Sequence, residues 1–294
     1  MYTSHLFGAV IMLALMVVSA PSVQAQVKPL EFQEYDLDNG MHVILHEDHS
    51  APVVATVVHY KVGSRDEDPQ RTGFAHFFEH LMFESTDQIE RGTIDKLITG
   101  AGGQLNAYTS IDETVYHFVV PSNQVRLPLW IEAQRMRTLN VNDIGVETQR
   151  GVVKEERKNR YDNAPYGGWF EKVQENLFAN SPYVWAPIGS AQHIDSASIK
   201  EFVDFYNKFY QPNNAIVVVS GDFDPAVVKE TIKAYFGGFK QAPDPERPTF
   251  AGLAPPREPY IENIEDEKAQ LPARFMGYQC MSMKEEDAYA FELV

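Results

Sequence analysis

Apolar and polar positions alternate on both sides of Asn39-Gly40 in the stretch Tyr35 to Leu45, and an Asn-Gly pair between such runs predicts a tight β-hairpin. A β-branched run at Pro52–Val62 predicts another strand. From Thr72 the period changes: Phe74, Phe77, Phe78, Leu81 and Met82 recur at three and four, which predicts a helix ending near Ser85. A short helix over Thr93–Ala101 should stop at Gly102-Gly103. Gln104–Thr109 and Thr114–Val120, on either side of Ser110-Ile111-Asp112-Glu113, read as a second hairpin. Helices are then expected at Ser122–Leu139, Asp143–Tyr161, Trp169–Ala179 and Ser198–Phe209, and a strand at Ala215–Ser220. A last helix runs over Asp224–Phe236, with Asp224 as its cap and Pro225 in its first position. The pattern predicts an α+β fold, a mixed and mostly antiparallel sheet packed with helices.

Proline crowds the stretch from Gln241 to Pro256, which reads as a linker. Beyond it the chain is expected to begin a strand near Ala269–Gln279 and an apolar helix at Asp287, the incomplete start of a second domain. At the other end, residues 1–25 contain no Lys, Arg, Asp or Glu, and Leu6 to Ala20 is nearly all apolar. With Pro21-Ser22-Val23-Gln24-Ala25 following, this reads as a signal peptide cleaved after Ala25, too short in its apolar core for a comfortable membrane span. The expected organisation is a signal peptide at 1–25, a main domain at 26–240, a linker at 241–260 and the second domain from 261 to 294.

Composition narrows the function. At 44% hydrophobic the chain can bury a substantial core, and a net charge of −16 without any basic block excludes a nucleic-acid binder. The single cysteine, Cys280, precludes an internal disulfide and reads as a small buried hydrophobe. Export without disulfides fits a bacterial periplasm.

The candidate chemistry lies in the first long helix. His76 and His80 are four apart, so their imidazoles project from one face and can converge on one ion, with Glu79 beside them. A catalytic zinc takes three protein ligands and keeps a fourth position open; it lowers the pKa of bound water to about 7 and polarises a carbonyl. Glu79 is placed to act as the base. The third ligand must come from elsewhere, and the helix Asp143–Tyr161 offers Glu155 and Glu156. They point about 100° apart, so both cannot face the metal equally; periodicity favours Glu156 without excluding Glu155. The other histidines, including His42, His46, His59, His117 and His193, have no paired spacing on a helix and read as structural or solvated.

The order His-x-x-Glu-His marks the inverzincins. Thr72 to Thr86, with its core His76-Phe77-Phe78-Glu79-His80, resembles the metal helix of the pitrilysin, insulin-degrading enzyme and mitochondrial processing peptidase family. Gln149-Arg150-Gly151-Val152-Val153-Lys154-Glu155-Glu156-Arg157 is similar to the segment carrying that family's distal glutamate ligand, and the resemblance selects Glu156. Gly102 to Thr109, Tyr206 to Val219 and Gly221-Asp222 agree with it. The resemblance implies a zinc endopeptidase with one Zn2+ per chain, held by His76, His80 and Glu156, acting on short or unfolded peptides in the periplasm. It implies that Asn106 and Ala107 bind substrate backbone as an added strand. It further implies a second homologous half, in the same chain or on a separate subunit, contributing an Arg and a Tyr near the metal. Gln149 departs from the pattern, standing where many relatives carry a glutamate that supports the ligands. The competing reading is a non-catalytic partner or assembly subunit of a two-subunit processing peptidase.

Overall fold

Asn39-Gly40 turns the chain as its chemistry predicts. Gly40 has φ of +82°, where glycine alone escapes a side-chain penalty, and the strands on either side, β1 (Gln33–Asp36) and β2 (His42–Glu47), pair antiparallel. The computed structural model describes residues 29–248, 260–282 and 284–291. Two units divide the chain, Met1–Glu31 and Phe32–Val294. Only residues 29–31 of the first are described, as irregular backbone, so the expected signal peptide lies outside the described residues. Every element below belongs to the second unit.

β3 (Val53–Tyr60), β4 (Gln104–Thr109), β5 (Thr114–Pro121) and β6 (Ala215–Gly221) complete one six-stranded sheet in the order β1-β2-β6-β3-β5-β4. All neighbours run antiparallel except β2 and β6. A parallel pair cannot be closed by a turn and needs a crossover, which here is supplied by the intervening strands and helices. The sheet is therefore mixed and mostly antiparallel, as the sequence pattern predicts.

Along β3 exposure alternates, and Val54, Thr56, Val58 and Tyr60 are buried on the face that the helices cover. The helices are α1 (Phe74–Leu81), α2 (Ile94–Gly100), α3 (Arg126–Thr138), α4 (Asp143–Arg157), α5 (Trp169–Leu177), α6 (Ala191–Ser196), α7 (Ile199–Phe209), α8 (Pro225–Phe236) and α9 (Ala288–Phe291). A single π turn, Lys158–Asp162, extends α4. Phe74, Phe77, Phe78 and Leu81 of α1 are buried, and Phe74 and Phe77 stack on Phe202 of α7 with ring centroids 4.7 and 4.6 Å apart. Each such side chain stabilises the fold by about 1.5–3 kcal/mol, so α1 is fixed in rotation by its apolar face. β4 forms one edge of the sheet and packs against α1.

Three expectations are corrected. The helix from Thr72 ends at Leu81, and turns in which Phe83 and Glu84 donate to His80 and Leu81 carry the chain toward Ser85. The strand expected at Ala269–Gln279 is irregular backbone: a strand needs a ladder partner, and the described residues offer it none. This segment runs over α5 instead, where Phe275 stacks on Trp169 and Gly277 lies close to Val173 and Leu177. Cys280 ends it exposed, not buried, because the segment covers the surface of the core and does not enter it. The helix expected at Asp287 is present as α9. The short helix α6 carries too few residues to show a period. The start of the expected linker is anchored: Arg247 donates to Asp66 at 2.6 Å and to Asn214 Oδ1 at 2.8 Å. Among the described residues no helix is long and apolar enough to cross a membrane.

Candidate metal centre

His76 and His80 lie on successive turns of α1, with ring centroids 4.8 Å apart. Their Nε2 atoms are 3.6 and 3.3 Å from Glu156 Oε2. One ligand-type atom from each of the three falls within 4.8 Å of the others, the one such trio of His, Cys, Asp or Glu among the described residues.

Glu156 reaches this point because of how α4 is registered. Asn142 caps its start by accepting from Gly145 N at 3.0 Å. Val146 and Val153 are buried, and Glu156 continues their stripe at helical spacing, half-buried. Glu155, one residue earlier, is exposed and pairs with Lys158 at 3.7 Å. Arg150 donates to the carbonyls of Ile194 and Ala197, and Arg157 to Gly189 O at 2.7 Å and Glu171 Oε1 at 2.9 Å, so α4 is fixed to the segment that covers the start of α1. Arg160, one turn on, holds the other Glu156 oxygen at 2.8 Å.

Electrostatics suit a cation. Burial, helped by the charge of His80, lowers the His76 pKa to about 4 against the opposing pull of Glu156, which keeps the imidazole neutral and able to ligate. The hydrogen bond with His80 is the chief cause that holds the Glu156 carboxyl below its ordinary value. Glu79 is raised by burial, although Thr109 Oγ1 donates to its Oε2 at 2.6 Å. That bond leaves Oε1 as the oxygen free to carry a proton.

Asn106 and Ala107 lie on the edge strand, Asn106 exposed and Ala107 half-buried. The side chain of Asn106 accepts from Ala107 N at 2.9 Å. Thr109 and Arg160 went unnoticed in the sequence, although Thr109 follows Ala107 at the strand period of two and Arg160 follows Glu156 at the helix period of four.

One end of the Gln149 amide is held by a buried acid. Its Nε2 donates to Glu84 Oε1 at 2.6 Å, and Glu84, 4% exposed, also receives Arg91. Gln149 Oε1 and His76 Nδ1 are each buried without a hydrogen-bond partner. Substituting glutamate here would set two carboxylates against one another with only Arg91 to neutralise them. Gln149→Glu is expected to destabilise the fold by about 1–3 kcal/mol, seen as a lower Tm in the metal-free protein. An unchanged Tm would show that Glu84 does not depend on this amide.

The chain resembles known proteins along most of its length. Residues 42–184 match the family described as insulinase (peptidase family M16), and residues 196–294 match the M16 inactive domain. The second match begins before β6, the strand that sits between β2 and β3, so the two matched regions share one sheet. A zinc protease of Helicobacter pylori, PqqE, is 31% identical over 280 residues, which is 95% of this chain and 63% of that protein. The probable zinc protease PqqL of Escherichia coli is 30% identical over 67% of this chain and 22% of its own length. Among solved structures, a protease from Helicobacter pylori superposes with a TM-score of 0.72 at 34% identity, over 76% of this chain and 54% of that one. The first half of the periplasmic protease PqqL from Escherichia coli gives 0.69 at 25% identity, over 74% of this chain and 48% of that one. The chain thus spans less than two thirds of the length of these relatives. Matching both M16 models in sequence, and M16 protease structures in sheet and helices, the chain belongs to the insulinase family of peptidases, M16.

Proposed function

We propose that this chain is the metal-holding part of a zinc-dependent endopeptidase that hydrolyses short or unfolded peptides. One observation carries the reading: two imidazole nitrogens and a carboxylate oxygen from two separate helices converge on one point, with a second carboxylate, Glu79, one helical turn from His76. The donor set fits zinc, which takes imidazole and carboxylate ligands readily. His76, His80 and Glu156 would hold it. When bound, the ion supplies Lewis-acid polarisation of the scissile carbonyl and acidifies water.

The chain's own residues supply the rest. Glu79, anchored through Oε2 by Thr109, takes the proton of the attacking water on Oε1 and delivers it to the departing amine. Its upward shift brings the carboxyl nearer neutrality, where both transfers are efficient. The unpaired edge of β4 accepts the peptide as an added strand beside Asn106 and Ala107, through main-chain bonds that impose little sequence preference. A cavity of about 490 Å³ lined by Arg160, Tyr161, Tyr166, Trp169, Phe170 and Phe275 offers a place for a large apolar side chain.

This reading places the protein in the bacterial periplasm after signal cleavage, working with a second homologous half in the same longer chain or on a separate subunit. Support comes from the match of residues 196–294 to the second M16 model and from the PqqL structures described as periplasmic. A purely non-catalytic partner subunit would have no use for Glu79 held at the ligand pair by Thr109. The test is metal analysis with a peptide assay: about one zinc per chain, cleavage lost to a chelator and restored by zinc. A protein that binds no zinc would end the proposal.

A further inference from the structure

The metal helix α1 lacks the usual means of starting. Its cap position is Gly73, with φ of +96° and no side chain to accept from the first exposed N–H groups. The helix is only 8 residues long, too short to hold itself together in isolation. Its position, and that of the two histidines, must therefore come from outside the helix.

The acceptor comes from six residues upstream. Glu67, 2% exposed, lies against the start of α1: Oε2 accepts from Gly73 N at 2.9 Å and Oε1 from Ala75 N at 2.8 Å. Trp185 Nε1 donates to the same Oε2 at 3.1 Å while also reaching Ser64 O at 2.9 Å. Burial pushes the carboxyl up to about 8, and the N–H groups of Ala75 and Gly73 and the Trp185 indole oppose that rise. Asp66, the adjacent acid, is answered by Arg247 at 2.6 Å. Gly189 lies so close that a Cβ on it would stand 2.2 Å from Gly73 N, and Thr72 Oγ1 accepts from Ser190 N at 3.1 Å. The helix start is thus fixed by Glu67 together with the backbone of residues 188–190.

Ala75 immediately precedes His76. Holding the Ala75 N–H adds to the apolar face of α1 in setting the rotation of the first turn, and with so short a helix the same rotation governs His80 one turn later. The side chain also lies at the end of the helix whose first N–H groups lack partners within the helix.

We propose that Glu67 is the positioning residue of the metal pair, setting the place of His76 and His80 by accepting the N–H groups of Gly73 and Ala75. The proposal rests on the zinc reading of the preceding section. It is tested in Glu67→Gln, which keeps the shape and one acceptor oxygen but turns an NH2 toward N–H donors. Zinc affinity is measured by chelator competition, and the ligand field by the visible absorption of the cobalt-substituted protein. The expected result is zinc bound about 10–100-fold more weakly than by the parent, with an altered cobalt spectrum. A variant with a lower Tm, zinc affinity within about twofold of the parent and the parental cobalt spectrum would reduce Glu67 to a fold-stabilising cap and overturn the proposal. If Glu67→Gln does not fold, Glu67→Asp, which keeps the carboxyl group and withdraws it by one methylene, is judged by the same two readouts. A parent protein that binds no zinc would remove the metal centre itself and this proposal with it, whereas a parent that binds zinc no better than the variant removes this proposal alone.

Discussion

Glu79→Gln is expected to keep zinc and lose hydrolysis. The amide fills the same space and still accepts from Thr109, so the helix and the ligand pair stay in place. What it lacks is an oxygen that can take a proton from water and give it to the departing amine. Positioned general acid–base groups contribute about 10²–10⁴-fold, and kcat/KM on a fluorogenic peptide should fall by that order while metal content is unchanged. Equal cleavage by the two proteins would remove Glu79 from the chemistry and restore the partner-subunit reading to first place.

The second large effect separates two neighbours. Glu156→Gln should weaken zinc by more than the ~10–100-fold typical of residues that only support a ligand, because it removes a charged donor from the group of three. Glu155→Gln should change zinc affinity little, since Glu155 is exposed and its pairing with Lys158 is of the surface kind worth about 0–1 kcal/mol. Isothermal titration of both metal-free variants decides it. Equal losses, or the greater loss at Glu155, would mean that α4 is rotated from the register seen here.

These two substitutions mark what the sequence made legible. The pair His76 and His80 needed only the helical period, because residues four apart on a helix meet whatever surrounds it. The same local logic found the Asn39-Gly40 turn, the cap at Asp224 and the strands that alternate between a wet and a dry face. Glu156 over Glu155 is only weakly favoured by period and is selected by family resemblance; burial of Val146 and Val153 is what turns Glu156 inward. Gln149 adds a contact that position along the chain does not reveal, since its amide donates to Glu84, 65 residues away. The strand expected near Ala269–Gln279 failed for want of a partner, a requirement that no property of those residues reveals.

By itself the sequence determined most of the elements and the histidine pair with Glu79 beside it, because those depend on neighbours within a few residues along the chain. The tertiary structure decided the parallel union of β2 with β6, the arrival of Glu156 at the histidines, the anchoring of Glu79 by Thr109, and the capping of a glycine-started helix by Glu67. Each of these joins segments far apart in sequence, and such contacts exist only once burial of the shared core has brought their elements together.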